Sequence, residues 1–234
     1  METNEKKDTT EPKGKARIYN VIILDKSGSM SSIARQAIDG VNETLGAIRS
    51  SQLRDPEQDN TVTLVAFCGC EMRTIFDNVP IADAKDITEK DYRPCCMTPL
   101  YDAVGTTITR VHSLTENQRV AVAVTIITDG YENASHEFSG KALCELINKY
   151  KKEGWMFAYV GAEHDVEAVA ATLSIDNVMR FDRNPESTSA MFCREASSKS
   201  RWMNRVKGRI LKSMALDDED FKMAMSEESE NYYD

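Results

Sequence analysis

The sequence has no long apolar run and no apolar segment near its first residue. Its longest nearly apolar stretch is VAVAVTII, residues 120–127, which is far shorter than the roughly 18 residues that a membrane-spanning helix needs. Residues 1–16, METNEKKDTTEPKGKA, lack the apolar core of a secretory signal. We therefore expect a cytoplasmic protein that does not engage a membrane.

Cysteine is present six times, but not in the spacing of common zinc sites. The cysteines are Cys68, Cys70, Cys95, Cys96, Cys144 and Cys193. Neither Cys68-Gly-Cys70 nor Cys95-Cys96 has the C-x₂₋₄-C spacing of structural zinc ligands. In a chain without a secretory signal we expect reduced thiols. A zinc site formed by the first four cysteines is the alternative.

Negative charge is concentrated at one end of the chain. The formal net charge is −9, and residues 217–234 hold eight acidic residues and one lysine. Residues 1–16 are balanced, with four acidic residues and four lysines. The rest is close to neutral, which argues against nucleic-acid binding. We predict a polar tail over 1–16, one domain over 17–216 and a solvated acidic tail over 217–234.

Predicted strands and helices alternate along the body of the chain. The strands at 61–67 and 71–76 are joined only by CGC, so they must pair antiparallel, because a parallel crossover needs about a dozen residues or more. The other predicted strands are 17–24, 119–128, 155–161 and 177–181, and the predicted helices are 32–51, 98–114, 139–153, 165–173 and 187–214. This pattern predicts an α/β fold with a doubly wound, Rossmann-like sheet, mostly parallel with one antiparallel edge strand and helices on both faces.

Oxygen-bearing side chains follow the two strands expected at the centre of that sheet. The segment ILDKSGSM places Asp25, Ser27 and Ser29 after the first strand, and ITDGYENAS places Asp129 after the strand at 119–128. Thr98 stands where a long loop enters a helix, at the same expected edge. Two carboxylates and three hydroxyls suit a hard divalent cation, Mg²⁺ first, with Mn²⁺ or Ca²⁺ as alternatives. Turn and helix caps are the other interpretation of each piece.

The segments DKSGSM, TPLYDAVG and ITDGYENAS resemble the three metal-binding loops of von Willebrand factor type A domains, and the chain is most similar to stand-alone bacterial members. The resemblance implies that Ser27, Ser29 and Thr98 are direct ligands of a metal-ion-dependent adhesion site. It implies that Asp25 and Asp129 act mostly through water. It also implies that the ion is completed by an Asp or Glu of a protein partner, and that the chain binds rather than catalyses.

Two other functions are alternatives to binding. A metal-dependent hydrolase or phosphatase-like enzyme would use the same edge, but Ser27 stands where such phosphatases need a second aspartate as general acid. His112, His136 and His164 are the candidate bases by residue type. A scaffold with an incidental metal site is the third possibility.

Residues 194–212 form a predicted helix with many basic side chains opposite an apolar stripe. A packed helix with a solvated basic face is the favoured interpretation. The alternative is a docking face for an acidic partner or for the chain's own acidic segment.

Overall fold

The computed structural model describes residues 14–162, 165–212, 217–230 and 232–233. Its strands are β1 (Ala16–Asp25), β2 (Gln58–Cys68), β3 (Glu71–Pro80), β4 (Ala121–Thr128), β5 (Met156–Ala162) and β6 (Asn177–Phe181). They form one six-stranded sheet in the order β3-β2-β1-β4-β5-β6. All neighbours pair parallel except β2 with β3. The predicted doubly wound sheet with one antiparallel edge strand is therefore confirmed.

Helices cover both faces of the sheet. They are α1 (Ala34–Arg54), α2 (Leu100–Thr115), α3 (Gly140–Lys152), α4 (Val166–Thr172), α5 (Pro185–Lys212) and α6 (Asp218–Glu230), with a 3₁₀ helix (Gly28–Ile33) before α1. In β1, Ile22 and Leu24 pack into a core with α1, α5 and α6, whereas Val21 and Ile23 pack into a second core with α2, α3 and α4. A parallel strand buried on both faces reads as a continuous apolar run, and this explains the sequence of β1.

The acidic segment forms helix α6 and packs on the body, so the expectation of a solvated tail is wrong for residues 217–230. Phe221 and Met225 are buried, one helical turn apart. Arg205 and Arg209 of α5 pair with Glu228 at 3.0 and 2.8 Å. The basic face of α5 therefore docks the chain's own acidic segment. This packing was hard to predict because the apolar stripe of α6 is short and its composition is dominated by acidic residues.

A buried ion pair within α5 contacts Thr125 in the middle of β4. Glu195 and Lys199 lie 3.7 Å apart, and each side chain is only 1% exposed. The Glu195 carboxylate accepts hydrogen bonds from the hydroxyls of Thr125, Tyr232 and Tyr233 at 2.8, 2.6 and 2.9 Å. Those bonds offset the cost of burying the carboxylate. Burial also lowers the pKa of Lys199, although Glu195 raises it.

Two features bear on the organisation predicted from the sequence. None of the helices in the described ranges is long and apolar enough to cross a membrane. The boundaries drawn at residues 16 and 216 stay predictions, and most of 1–16, together with 213–216, lies outside the described residues.

Candidate metal centre

Asp25 is the last residue of β1 and lies at the carboxyl edge of the centre of the sheet. Its side chain is completely buried. One carboxylate oxygen accepts a hydrogen bond from the backbone amide of Ser27 at 2.6 Å, and the other accepts one from the hydroxyl of Thr128 at 2.7 Å. Leu24 pairs with Ile127, so the end of β4 lies directly beside Asp25. Both oxygens of the carboxylate are thereby fixed by neighbours on the two central strands.

Ser27 and Ser29 lie in the turn that leads into the 3₁₀ helix. Their hydroxyl oxygens are 3.1 Å apart. The amide of Met30 donates to the carbonyl of Ser27 at 3.1 Å and closes the turn. The Ser29 hydroxyl donates to Asp129 Oδ1 at 2.5 Å. The spacing D-x-S-x-S thus brings both hydroxyls to the side of the turn that faces the end of β4.

Asp129 follows β4 and has a fully buried side chain. Its second oxygen, Oδ2, lies 3.4 Å from a guanidinium nitrogen of Arg183, which comes from the turn between β6 and α5. Arg183 is 30% exposed at its side chain. The turn therefore places one positive charge beside the two buried carboxylates.

Thr98 reaches the same place from the loop before α2. Its amide donates to the side-chain oxygen of Asn133 at 2.8 Å, and its carbonyl accepts from the Asn133 amide at 3.1 Å. A Cβ atom built on Gly130 would lie 3.8 Å from both the Ser29 hydroxyl and the Thr98 hydroxyl. The two hydroxyls therefore both lie close to Gly130.

The Asp25 carboxyl group is held in an environment that favours its protonated form. The pKa of Asp25 is raised to about 6, because burial, with a smaller contribution from the charge of Asp129, outweighs the hydrogen bonds from Thr128 and Ser27, which lower it. Burial disfavours the charged form because a carboxylate loses its hydration in the protein interior. A cation at this edge would oppose that effect and stabilise the carboxylate.

Two carboxylates fasten the loop after β4 to the start of α2. Glu132 accepts hydrogen bonds from the amide of Tyr101 at 3.0 Å and from the hydroxyl of Ser135 at 2.7 Å. Asp102 accepts from the amides of His136 and Phe138, each at 2.7 Å. An acidic residue in the first helical turn is the local signal that could have identified Asp102. These bonds fix the relative position of the loops that carry Asp129 and Thr98.

Four residues that the sequence analysis did not name hold the site in place. Thr128, Asn133 and Arg183 contact its members as described above. The buried Tyr92 hydroxyl donates to the carbonyl of Asp25 at 2.6 Å. Tyr92 and Arg183 come from distant segments, and no local pattern in the sequence points to either contact.

Two of the histidines weighed for a hydrolytic site lie in described segments. His112 is in the last turn of α2, where its ring nitrogen is 3.1 Å from Glu153 and its ring stacks on Tyr150. Thr98 precedes the first turn of this helix, so the length of α2 separates the two residues. His136 lies in the loop that Asp102 fastens, and His164 lies outside the described residues.

The cysteines beside this edge correct one expectation. Cys70 and Cys96 form a disulfide, with Cα atoms 6.2 Å apart. The expectation of reduced thiols is therefore wrong for this pair. Cys68, Cys95, Cys144 and Cys193 are free. The physical reason is that the hairpin between β2 and β3 packs on the loop before Thr98, which brings the two cysteines within disulfide range.

The donor set fits a hard divalent cation. The groups gathered near Gly130 are the hydroxyls of Ser27, Ser29 and Thr98 and the carboxylates of Asp25 and Asp129. All of these donors are oxygen atoms, which hard cations prefer over nitrogen and sulfur. The two buried carboxylates also need positive charge nearby, of which Arg183 supplies one unit. The arrangement can therefore hold such an ion, although metal binding by these five residues stays a prediction.

Solved structures with the same arrangement of strands and helices identify the fold. A von Willebrand factor type A protein from Catenulispora acidiphila matches with a TM-score of 0.53 and 16% identity, over 79% of this chain and 43% of that one. The SpRpn10 VWA domain matches with a TM-score of 0.51 and 13% identity, over 76% of this chain and 94% of that domain. The chain has the von Willebrand factor type A (VWA) fold. The manganese-loaded Plasmodium vivax TRAP protein also matches, with a TM-score of 0.50 and 14% identity, over 76% of this chain and 72% of that one.

The VWA fold confirms the resemblance inferred from the three loop motifs at the level of architecture. The chain spans less than half of the length of the Catenulispora acidiphila chain that it matches. No protein-family model matches the sequence, and no curated protein matches it either. At these identities the likeness establishes the VWA fold alone.

Proposed function

We propose that this VWA-fold chain is a metal-dependent protein-interaction module. A divalent cation would bind at the carboxyl edge of β1 and β4, and a carboxylate from a protein partner would complete its coordination. The observation that carries the proposal is the convergence of two buried carboxylates and three hydroxyls beside Gly130.

The hydrogen bonds of the site support a division of roles. Both oxygens of Asp25 already accept hydrogen bonds from Ser27 and Thr128, so Asp25 acts through water and by fixing the turn. Asp129 holds the Ser29 hydroxyl and acts in the same indirect way. The hydroxyls of Ser27, Ser29 and Thr98 are then the direct ligands from the protein.

The nature of the ligands favours Mg²⁺, with Mn²⁺ or Ca²⁺ as alternatives. The manganese-loaded state of the TRAP protein, which has a similar fold, supports a divalent cation of this class. With neutral hydroxyls as direct ligands, a bound cation keeps most of its charge and supplies an electrophilic centre for an incoming Asp or Glu.

The proposal is a binding function without turnover. Ser27 stands where a phosphatase-like mechanism needs an aspartate, and His112 pairs with Glu153 at the far end of α2. A cytoplasmic protein that engages neither nucleic acid nor membrane remains the proposed setting.

Isothermal titration calorimetry tests the metal. Chelator-stripped protein is titrated with Mg²⁺ and with Mn²⁺, and we expect a single site with measurable heat. Ser27→Ala removes a ligand and should abolish the heat, whereas Ser32→Ala changes an exposed serine of the same 3₁₀ helix and should leave it intact. No heat in the wild type, or equal heat in both variants, would refute the proposed metal site.

A capture experiment tests the partner carboxylate. The immobilised chain is incubated with cell lysate in Mg²⁺ or in chelator, and bound proteins are compared with those on Ser27→Ala. Treating the lysate with carbodiimide and an amine converts its carboxylates to amides, and we expect capture to be lost, while the amine alone leaves it unchanged. Capture that survives both chelator and amidation would refute the proposed mode of binding.

A further inference from the structure

Four of the six cysteines meet at one place beside the candidate metal centre. Cys68 ends β2 and Cys70 follows two residues later in the hairpin turn, whereas Cys95 and Cys96 lie in the loop before Thr98. The sulfur atoms of Cys68 and Cys95 are 3.2 Å apart. The sulfur atoms of Cys68, Cys70 and Cys95 all lie within 4.8 Å of one another. Cys96 is covalently joined to Cys70, so its sulfur belongs to the same cluster.

Backbone hydrogen bonds position these two segments independently of sulfur chemistry, one between the segments and two between the loop and the residues that follow β1. The amide of Gly69 donates to the carbonyl of Met97 at 2.7 Å, the amide of Cys95 donates to the carbonyl of Lys26 at 2.8 Å, and the amide of Gly28 donates to the carbonyl of Cys96 at 3.0 Å. A Cβ atom on Gly69 would lie 3.2 Å from the Met97 nitrogen. The segments are thus closely packed, and opening the disulfide leaves the four sulfurs near one another.

The separations of the sulfurs fit tetrahedral thiolate coordination. A zinc–sulfur bond of about 2.3 Å places the sulfurs of a tetrahedral site about 3.8 Å apart. The sulfurs of Cys68 and Cys95 are 3.2 Å apart, and all the separations among Cys68, Cys70 and Cys95 are within 4.8 Å, so small shifts bring them to that value. Zinc ligands usually come in C-x₂₋₄-C pairs because a single knuckle must orient both sulfurs. Here two different segments orient them, so the unusual spacing is not an obstacle.

The cluster reaches solvent at one side and has a buried cation beside it. Cys68 is buried and Cys95 is half-buried, whereas Cys70 is exposed and gives access from solvent. The Lys26 side chain is 4% exposed and pairs with Glu71 at the start of β3. The hydrogen bond with Cys68 and burial raise the pKa of Cys95, while the charge of Lys26 lowers it. A cation buried next to thiolates offsets part of the charge that four of them would carry.

We propose that, once the disulfide is reduced, Cys68, Cys70, Cys95 and Cys96 form a thiolate site for one zinc-class ion. A dithiol opens the disulfide, is itself oxidised to a cyclic disulfide, and leaves Cys70 and Cys96 as thiols. The four thiols then lose their protons as the ion binds. The ion and the Cys70–Cys96 disulfide exclude each other, because both need the same two sulfurs. This site uses sulfur donors and does not depend on the proposed function of the oxygen site.

Cobalt spectroscopy tests this site. The chain is reduced with dithiothreitol, freed of reductant without oxygen, and titrated with Co²⁺ in excess Mg²⁺, which competes for oxygen ligands and not for thiolates. We expect one equivalent of Co²⁺ to give thiolate charge-transfer bands and the visible bands of tetrahedral coordination, and Zn²⁺ to displace it. Protein that keeps the disulfide should show neither set of bands.

Matched variants separate the cluster from the other cysteines. Cys68→Ser with Cys95→Ser should weaken metal binding by roughly a hundredfold or more, whereas Cys144→Ser with Cys193→Ser should bind like the wild type. Because Cys70 is exposed, Cys70→Ser provides a ligand deletion that does not disturb the core. The proposal is overturned if reduced wild-type protein shows no thiolate bands, or if those bands persist unchanged in Cys70→Ser.

Discussion

Replacing Asp25 by asparagine should stabilise the metal-free protein and abolish its response to metal. The carboxyl group is buried, and its pKa of about 6 lies above the ordinary value of 3.8. An amide has nearly the same shape and can still accept the hydrogen bond from the amide of Ser27. The Thr128 hydroxyl, which lies 3.2 Å from the carbonyl of Gly130, can turn to donate there and accept from the new amide group.

The size of the effect follows from the difference in pKa. A carboxyl group whose pKa is higher in the folded state than in the unfolded state lowers the free energy of unfolding as the pH rises from about 4 through about 6. The difference between 3.8 and about 6 corresponds to roughly 3 kcal/mol at neutral pH. The charge of Asp129, which acts on Asp25, and that of Arg183, which pairs with Asp129, remain in the variant. We expect Asp25→Asn to raise the free energy of unfolding by about 2 kcal/mol. For a chain of this length, that increase raises the melting temperature by roughly 4–8 °C.

Thermal unfolding followed by circular dichroism measures this prediction. Wild type, Asp25→Asn and Asp39→Asn, an exposed control on α1, are compared in chelator from pH 4 to pH 8. The gap between Asp25→Asn and wild type should be near zero at pH 4 and reach its full size above pH 6, while Asp39→Asn follows the wild type. In millimolar Mg²⁺ the wild type should gain stability, as any ligand specific to the folded state provides, and Asp25→Asn should not.

Two results would contradict the reasoning. If Asp25→Asn is less stable than wild type at pH 8 in chelator, the ionised carboxylate serves the fold and not an ion. If the gap is the same at pH 4 and pH 8, ionisation of Asp25 is not its cause. A gain of stability in Mg²⁺ that persists in Asp25→Asn would place the ion elsewhere.

Three further predictions follow from the packing. Thr98→Ala should change the free energy of unfolding by less than about 1 kcal/mol, because it removes little apolar surface, yet should abolish the calorimetric heat of Mg²⁺; retained heat would exclude Thr98 as a ligand. Lys199→Met should lower the free energy of unfolding, measured with urea, by about 3–5 kcal/mol, because it leaves the Glu195 charge buried without its partner. Adding Glu195→Gln should recover part of this loss. No recovery would mean that packing, not charge, causes the loss. Phe221→Ala should cost about 3 kcal/mol and leave the Mg²⁺ heat unchanged, and a loss of heat would show that α6 supports the site.

The sheet could be predicted because local patterns determine its order. The three-residue link CGC between Phe67 and Glu71 forces a hairpin, and the alternation of strands with helices makes the other pairs parallel. The convergence of Asp25 and Asp129 was predictable for the same reason, since both follow central strands that end at one edge. Metal binding there remains a prediction from the type of donor.

Other features depend on contacts between distant segments and have no local signal. The bond from Tyr92 to Asp25 joins residues 67 positions apart, and the disulfide joins residues 26 positions apart. The packing of α6 depends on Phe221 and Met225 and on ion pairs with α5. These contacts hold α6 on the body, although its acidic composition is typical of a solvated segment. Such contacts become visible only when the fold brings the segments together.

The distance along the chain between Ser29 and Asp129 has a consequence for folding kinetics. The two residues are a hundred positions apart, and they meet only when β1 and β4 pair in the centre of the sheet. Closing so long a loop is slow, because the chain loses conformational entropy before the contacts between the two ends can stabilise it. A cation that needs both residues therefore binds after the rate-limiting step, so it should slow unfolding and leave the folding rate unchanged. For this chain, the ion would stabilise the native state against unfolding and would not nucleate its formation.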